Sequence, residues 1–189
     1  MTKARDLANG GFGLVLIKPS TVVGGTDNGK GTVSFTSAST VSLNDVFSST
    51  YNNYKVLLRI TAGGVAGNIS LKLRSSNSDA SNNAYYSGFA YDRVSNATGN
   101  GAGNPLTYFI LPAQTTYDWF MFDMNIMQPF SSGTTTSFTY HGTGNDVTSG
   151  YSMNGGGLFN VVGSYTGFSI INQGGNLGTG TVSVYGFNN

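Results

Sequence analysis

Two stretches, Tyr54-Lys55-Val56-Leu57-Leu58-Arg59-Ile60-Thr61 and Ile69-Ser70-Leu71-Lys72-Leu73-Arg74, decide the fold class. In the first, Val56, Leu58 and Ile60 alternate with Leu57, Arg59 and Thr61. In the second, Ile69, Leu71 and Leu73 alternate with Ser70, Lys72 and Arg74. A side-chain period of two belongs to a strand with one face on a core and the other in water. Tyr117 to Met127 alternates as well, with Phe120, Phe122, Met124 and Ile126 set against Trp119, Met121, Asp123 and Asn125. Its second face is partly apolar, which predicts a central strand buried on both sides.

Working outward, further strand signals occur over Gly13–Lys18, Thr32–Thr36, Ala84–Tyr91, Leu106–Leu111, Thr136–His141, Gly157–Val162, Tyr165–Asn172 and Thr181–Phe187. Turn clusters separate them: Gly24-Gly25-Thr26-Asp27-Asn28-Gly29, the run Gly99 to Pro105, and Asn172-Gln173-Gly174-Gly175-Asn176. Gly and Asn supply the positive φ angles that tight turns need. About ten strands at this spacing predict an all-β fold: a single jelly-roll-like antiparallel β-sandwich over residues 12–189. One short helix is expected at Lys3–Ala8, capped by Thr2 and followed by the break Asn9-Gly10-Gly11. Residues 1–11 therefore read as an N-terminal arm.

Composition agrees. Hydrophobic residues make up 39% of the 189, enough for a core, and 11 Tyr and 12 Phe accompany 28 Gly. A disordered chain would lack those aromatics. Charged residues are 9% and the net charge is +1, with Lys and Arg scattered singly, so no nucleic-acid footprint is present and no such partner is expected. Near-neutrality leaves little repulsion between copies. No apolar run reaches the length of a membrane span, and the N-terminus lacks a secretory pattern, so a protein made in the cytoplasm of its host and kept as written is expected.

The acid–base inventory is thin: one His, eight Asp, no Glu and no Cys. His141 has no nucleophile or carboxylate close in sequence. Asp118 and Asp123, five apart on one strand, point to opposite faces and do not flank a glycosidic bond. Gly24-x-x-x-x-Gly29-Lys30 has the glycine and lysine spacing of a phosphate loop. Gly31 stands where Ser or Thr would hold magnesium, however, and a strand rather than a helix follows. Asp79, Ser81 and Asn83 resemble the start of a calcium loop without its glycine and glutamate. No catalytic residue, cofactor or metal is assigned, and the protein reads as non-enzymatic. Tyr85, Tyr86, Phe89, Tyr91 and Trp119 offer rings for a core or for sugar stacking, with Asn82, Asn83, Asp92 and Arg93 as polar partners. Tyr85, Tyr86, Tyr91 and Arg93 are the candidate ligand or receptor contacts.

The segment Thr2-Lys3-Ala4-Arg5-Asp6-Leu7-Ala8 resembles the short amino-terminal segment of many tailed-phage virion proteins, in particular fibre and appendage proteins of marine and cyanobacterial phages. The body is similar to their small β-sandwich modules, through Tyr54–Ile60, Ser70–Arg74, Asn83-Ala84-Tyr85-Tyr86 and Thr181-Val182-Ser183-Val184-Tyr185-Gly186-Phe187. The resemblance implies a structural protein on the virion surface. It implies docking onto capsid or tail proteins through Lys3, Arg5, Asp6 and Leu7, with the sandwich projecting, often as a homotrimer, toward the host receptor. The family carries no catalytic residues. Many relatives place a shaft between arm and tip. This chain does not, which points to a compact capsid decoration, cement or knob protein or a short appendage. The other reading, from the aromatic group, is a carbohydrate-binding module or adhesin that contacts a host-surface glycan.

Overall fold

The structure, a computed structural model, describes residues 13–62, 64–65, 67–93, 98–111, 117–146 and 150–188. The expected arm and its docking residues Lys3, Arg5, Asp6 and Leu7 lie outside the described residues. Sixteen strands follow in chain order: β1 Val15–Ile17, β2 Thr21–Val23, β3 Thr26–Asp27, β4 Thr32–Thr36, β5 Thr40–Asn44, β6 Asn53–Ala62, β7 Ile69–Ser75 and β8 Ser78–Asp79. The remainder are β9 Tyr85–Arg93, β10 Thr98–Leu106, β11 Phe109–Leu111, β12 Tyr117–Met127, β13 Thr136–Asp146, β14 Gly150–Phe159, β15 Gly167–Asn172 and β16 Thr179–Phe187. Among the described residues there is no helix.

The strands form two antiparallel sheets. The larger runs β10-β9-β14-β13-β12-β6-β16-β4-β3, with β1 also on β16; the smaller runs β11-β7-β15-β5-β2, with β8 on β7. Eight of these strands make a frame. β4, β16, β6 and β12 are neighbours in one sheet, and β5, β15, β7 and β11 in the other. Along these eight strands the chain changes sheet six times, from β4 to β5, β5 to β6, β6 to β7, β11 to β12, β12 to β15 and β15 to β16. That is the double Greek key of a jelly roll. Two insertions widen it: β9 and β10 leave the smaller sheet after β8, and the hairpin β13–β14 follows β12, so four extra strands extend the larger sheet past β12.

The core lies between the sheets. Val56, Leu58, Ile60, Phe120, Phe122, Met124 and Ile126 face inward from the larger sheet, against Ile69, Leu71, Leu73, Phe109, Phe168 and Ile170 of the smaller. Two expected faces are corrected. β12 is central in order but buried on one side only, because no described residue covers the outer side: Trp119 and Met121 are 42% and 49% exposed. The expected wet face of β7 is partly closed, with Ser70 and Arg74 buried. Arg74 lies across the neighbouring strands, donating to Asn44 Oδ1 at 2.9 Å, Ser42 Oγ at 3.2 Å and Ser169 Oγ at 2.9 Å, and pairing with Asp79. Asp79 is thus a structural counter-ion and not a solvated loop carboxylate.

Glycines define the extension. Gly142 and Gly144 of β13 stand directly opposite Phe122 and Phe120 of β12; Gly155 and Gly157 of β14 oppose Tyr140 and Phe138; Gly99 and Gly101 of β10 oppose Tyr91 and Phe89. Each ring lies over its facing glycine, so that a Cβ on Gly142 would stand 2.7 Å from the Phe122 ring. Cross-strand pairs of this kind hold register and cover backbone where little else does. The expected turn Gly99–Pro105 is therefore mostly strand β10, and β13 continues past His141 to Asp146.

Arg74 is 9% exposed, so removing its carboxylate strands a largely buried cation. Asp79→Ala is expected to lower unfolding free energy by about 3 kcal/mol. Urea denaturation checks this, and a loss within error of zero would show that Asn44, Ser42, Ser169 and the Asn77 carbonyl satisfy Arg74 without the carboxylate.

Candidate binding face

The outer side of the larger sheet is an open surface among the described residues. Register places Ser183, Leu57, Asp123, His141 and Asn154 side by side on successive strands, and Thr181, Arg59, Met121, Thr143 and Ser152 in the next row. Small hydroxyl residues flank long side chains there. The result is an open concavity of about 440 Å³, lined by Leu57, Arg59, Met121, Asp123, His141 and Thr181 among others. Leu57, Met121 and Trp119 are exposed apolar groups on this face.

Its electrostatics are simple. Lys55 Nζ donates to both oxygens of Asp123, at 2.6 and 2.8 Å, which neutralises the carboxylate in the concavity. Arg59 is exposed and has no ion-pair or hydrogen-bonding partner among the described residues. His141 sits mid-strand, not at a strand end, with Asp123 directly opposite in register. The carboxylate is nevertheless held by Lys55. Ser183 Oγ shares a hydrogen bond with Thr32 Oγ1 at 3.0 Å, and two strands separate it from His141, roughly 14 Å at the usual strand spacing. A nucleophile–base pair needs hydrogen-bond contact, which this arrangement does not give. Among the described residues, no group of three or more His, Cys, Asp or Glu side chains is placed to hold a metal.

The aromatic residues singled out by sequence do not form one site. Tyr85 is fully buried and is corrected from contact residue to core. Its hydroxyl donates to the Ala80 carbonyl at 3.2 Å and accepts from the Leu73 N–H at 3.0 Å. Burial pushes its phenol well above the ordinary tyrosine range. Tyr86 points to the outer face, half-buried, opposite Leu158. Tyr91 and Arg93 do come together, on the inner side of β9, where the Arg93 guanidinium lies 4.7 Å from the Tyr151 ring centroid and 5.8 Å from that of Tyr91. The sheet therefore separates Tyr91 and Arg93 from Tyr86 and Trp119. Asn82, Asn83 and Asp92 are exposed.

Leu57, Arg59 and Met121 were not among the expected site residues. Their signal was present in the outward phase of β6 and β12, as the apolar Leu57 and Met121 with the cationic Arg59 beside them. The glycine and lysine run Gly24–Lys30, expected as a turn through Gly29, contains the short strand β3, and only the residues after Asp27 turn toward β4: Asp27 Oδ1 accepts from the Gly31 N–H and Asn28 Oδ1 from the Lys30 N–H, both at 2.9 Å, and a strand follows. No protein-family model, curated protein or solved structure matches this chain.

Trp119 is the one tryptophan of the chain and reports on this face directly. Its emission in the folded protein should be red-shifted and strongly quenched by acrylamide. A blue-shifted, shielded emission would show that the face is covered.

Proposed function

We propose that the protein is a non-enzymatic structural component of a bacteriophage particle, exposed on its outer surface as a capsid decoration, cement or knob protein or as a tail fibre or short appendage. It docks through residues 1–11 onto capsid or tail proteins and presents the jelly roll outward, as a homotrimer, toward the host surface. The observation that best supports this reading is the outer face of the larger sheet. That face is broad, rich in Ser, Thr and Asn and poor in charge, with exposed Leu57, Met121 and Trp119 near its middle. Contiguous apolar exposure with a polar surround is the composition of a contact surface. A short arm adds weak, repeated attachment to a lattice through effective concentration.

The second reading, a carbohydrate-binding module or adhesin, is favoured by one feature: the concavity joins apolar Leu57 and Met121 to the exposed guanidinium of Arg59, with Trp119 on the same face. Flat apolar groups beside hydrogen-bond donors suit a sugar ring. The two readings coincide if the particle protein contacts a glycan.

Deleting residues 1–11 separates them. Under the first reading the truncated protein keeps its thermal stability but no longer co-sediments with particles that bind the full chain. Unchanged co-sedimentation would overturn arm docking. Loss of glycan-array binding in Trp119→Ala with particle attachment unaffected would favour the second reading.

A further inference from the structure

We infer that the open edge of β10 is a pairing surface for a second copy of this chain, joining two larger sheets across a twofold axis. The strand spans Thr98–Leu106 and pairs on one side only, with β9. Among the described residues nothing pairs with its other side, so a row of backbone N–H and C=O groups faces outward.

The remaining edges are blunted in the usual way, by being very short. β3 has two residues, β1, β2 and β11 have three each, and β8 has two. β10 has nine and carries no charged residue. Pro105 and the register shift that follows Gly103 are its protective features, and both affect only the end of the strand. Thr98 to Gly103 stay open.

The surface is also self-complementary. On the inner side, Gly99 and Gly101 are covered by the rings of Tyr91 and Phe89, both only half-buried. A second β10 arriving antiparallel brings the same glycines and rings, so each copy's rings gain the neighbour that the edge lacks. With net charge +1 there is little repulsion to oppose contact. An extended peptide of another protein has the same backbone complementarity but not the matching glycine row.

Twofold pairing uses each edge once, so it doubles whatever unit the jelly roll otherwise forms. The test is light scattering of the full chain beside a variant carrying Asn100→Asp and Ala102→Asp. These positions share one face of the strand and, in an antiparallel pair centred near residue 101 or 102, set like charges opposite each other. The expected result is a wild-type mass twice that of the variant, with thermal unfolding unchanged. Equal masses would overturn the inference. Should the variant not fold, hydrogen exchange of the wild type decides: amides of residues 99–103 should exchange faster on dilution, and concentration-independent exchange would contradict the pairing.

Discussion

The larger sheet depends on aromatic rings lying across glycines of the next strand. Phe122 over Gly142, Phe120 over Gly144, Tyr140 over Gly155, Phe89 over Gly101 and Tyr91 over Gly99 repeat one arrangement from β12 out to β10. A ring laid flat on a pleated surface needs a neighbour without a Cβ, and a glycine in a strand needs something to cover its backbone. Each supplies the other's requirement. The jelly-roll frame is closed by the smaller sheet, whose strands end at β11. The four added strands lie beyond that frame, and the rings give them an inner face of their own.

This arrangement leaves two surfaces for function. With the rings turned inward, the outer row of β6, β12 and β13 carries Leu57, Met121 and Trp119 beside Arg59, Asp123 and His141. The Lys55–Asp123 pair removes that carboxylate from play. What remains is a shallow, nearly neutral face suited to contact more than to acid–base chemistry. The second surface is the edge where the extension stops. Its last strand carries glycines but no further ring-bearing neighbour.

How much of this is legible in the sequence follows from which signals are local. The alternation in Tyr54–Thr61, Ile69–Arg74 and Tyr117–Met127 identifies β6, β7 and β12 directly, and with them the sandwich. The turn at Asn172–Asn176 is local chemistry and reads correctly. Glycine is where local reading fails. Gly99 to Gly103 and Gly142 to Gly144 look like turns, yet they are strand, because their meaning is set by rings on another strand. Faces fail for the same reason. Whether Met121 is core or surface depends on what lies over β12, and Arg74 is buried by partners on β5 and β15. The candidate face becomes visible only after pairing, since Lys55 and Asp123 are 68 residues apart. Tyr85 and Tyr86, adjacent in sequence, point to opposite sides of β9, as period two requires.

The most direct test of this account is a glycine series read by thermal unfolding. Gly99, Gly101, Gly142 and Gly144 are each changed to Ala, with Gly88 and Gly133 as controls, since an added Cβ meets nothing closer than 4.0 Å at Gly88 and nothing within 4 Å at Gly133. The account predicts that the four ring-facing variants each lose stability, by about 1–3 kcal/mol, while the two controls are unchanged or slightly stabilised. Equal effects at all six positions, or losses at the controls alone, would contradict it.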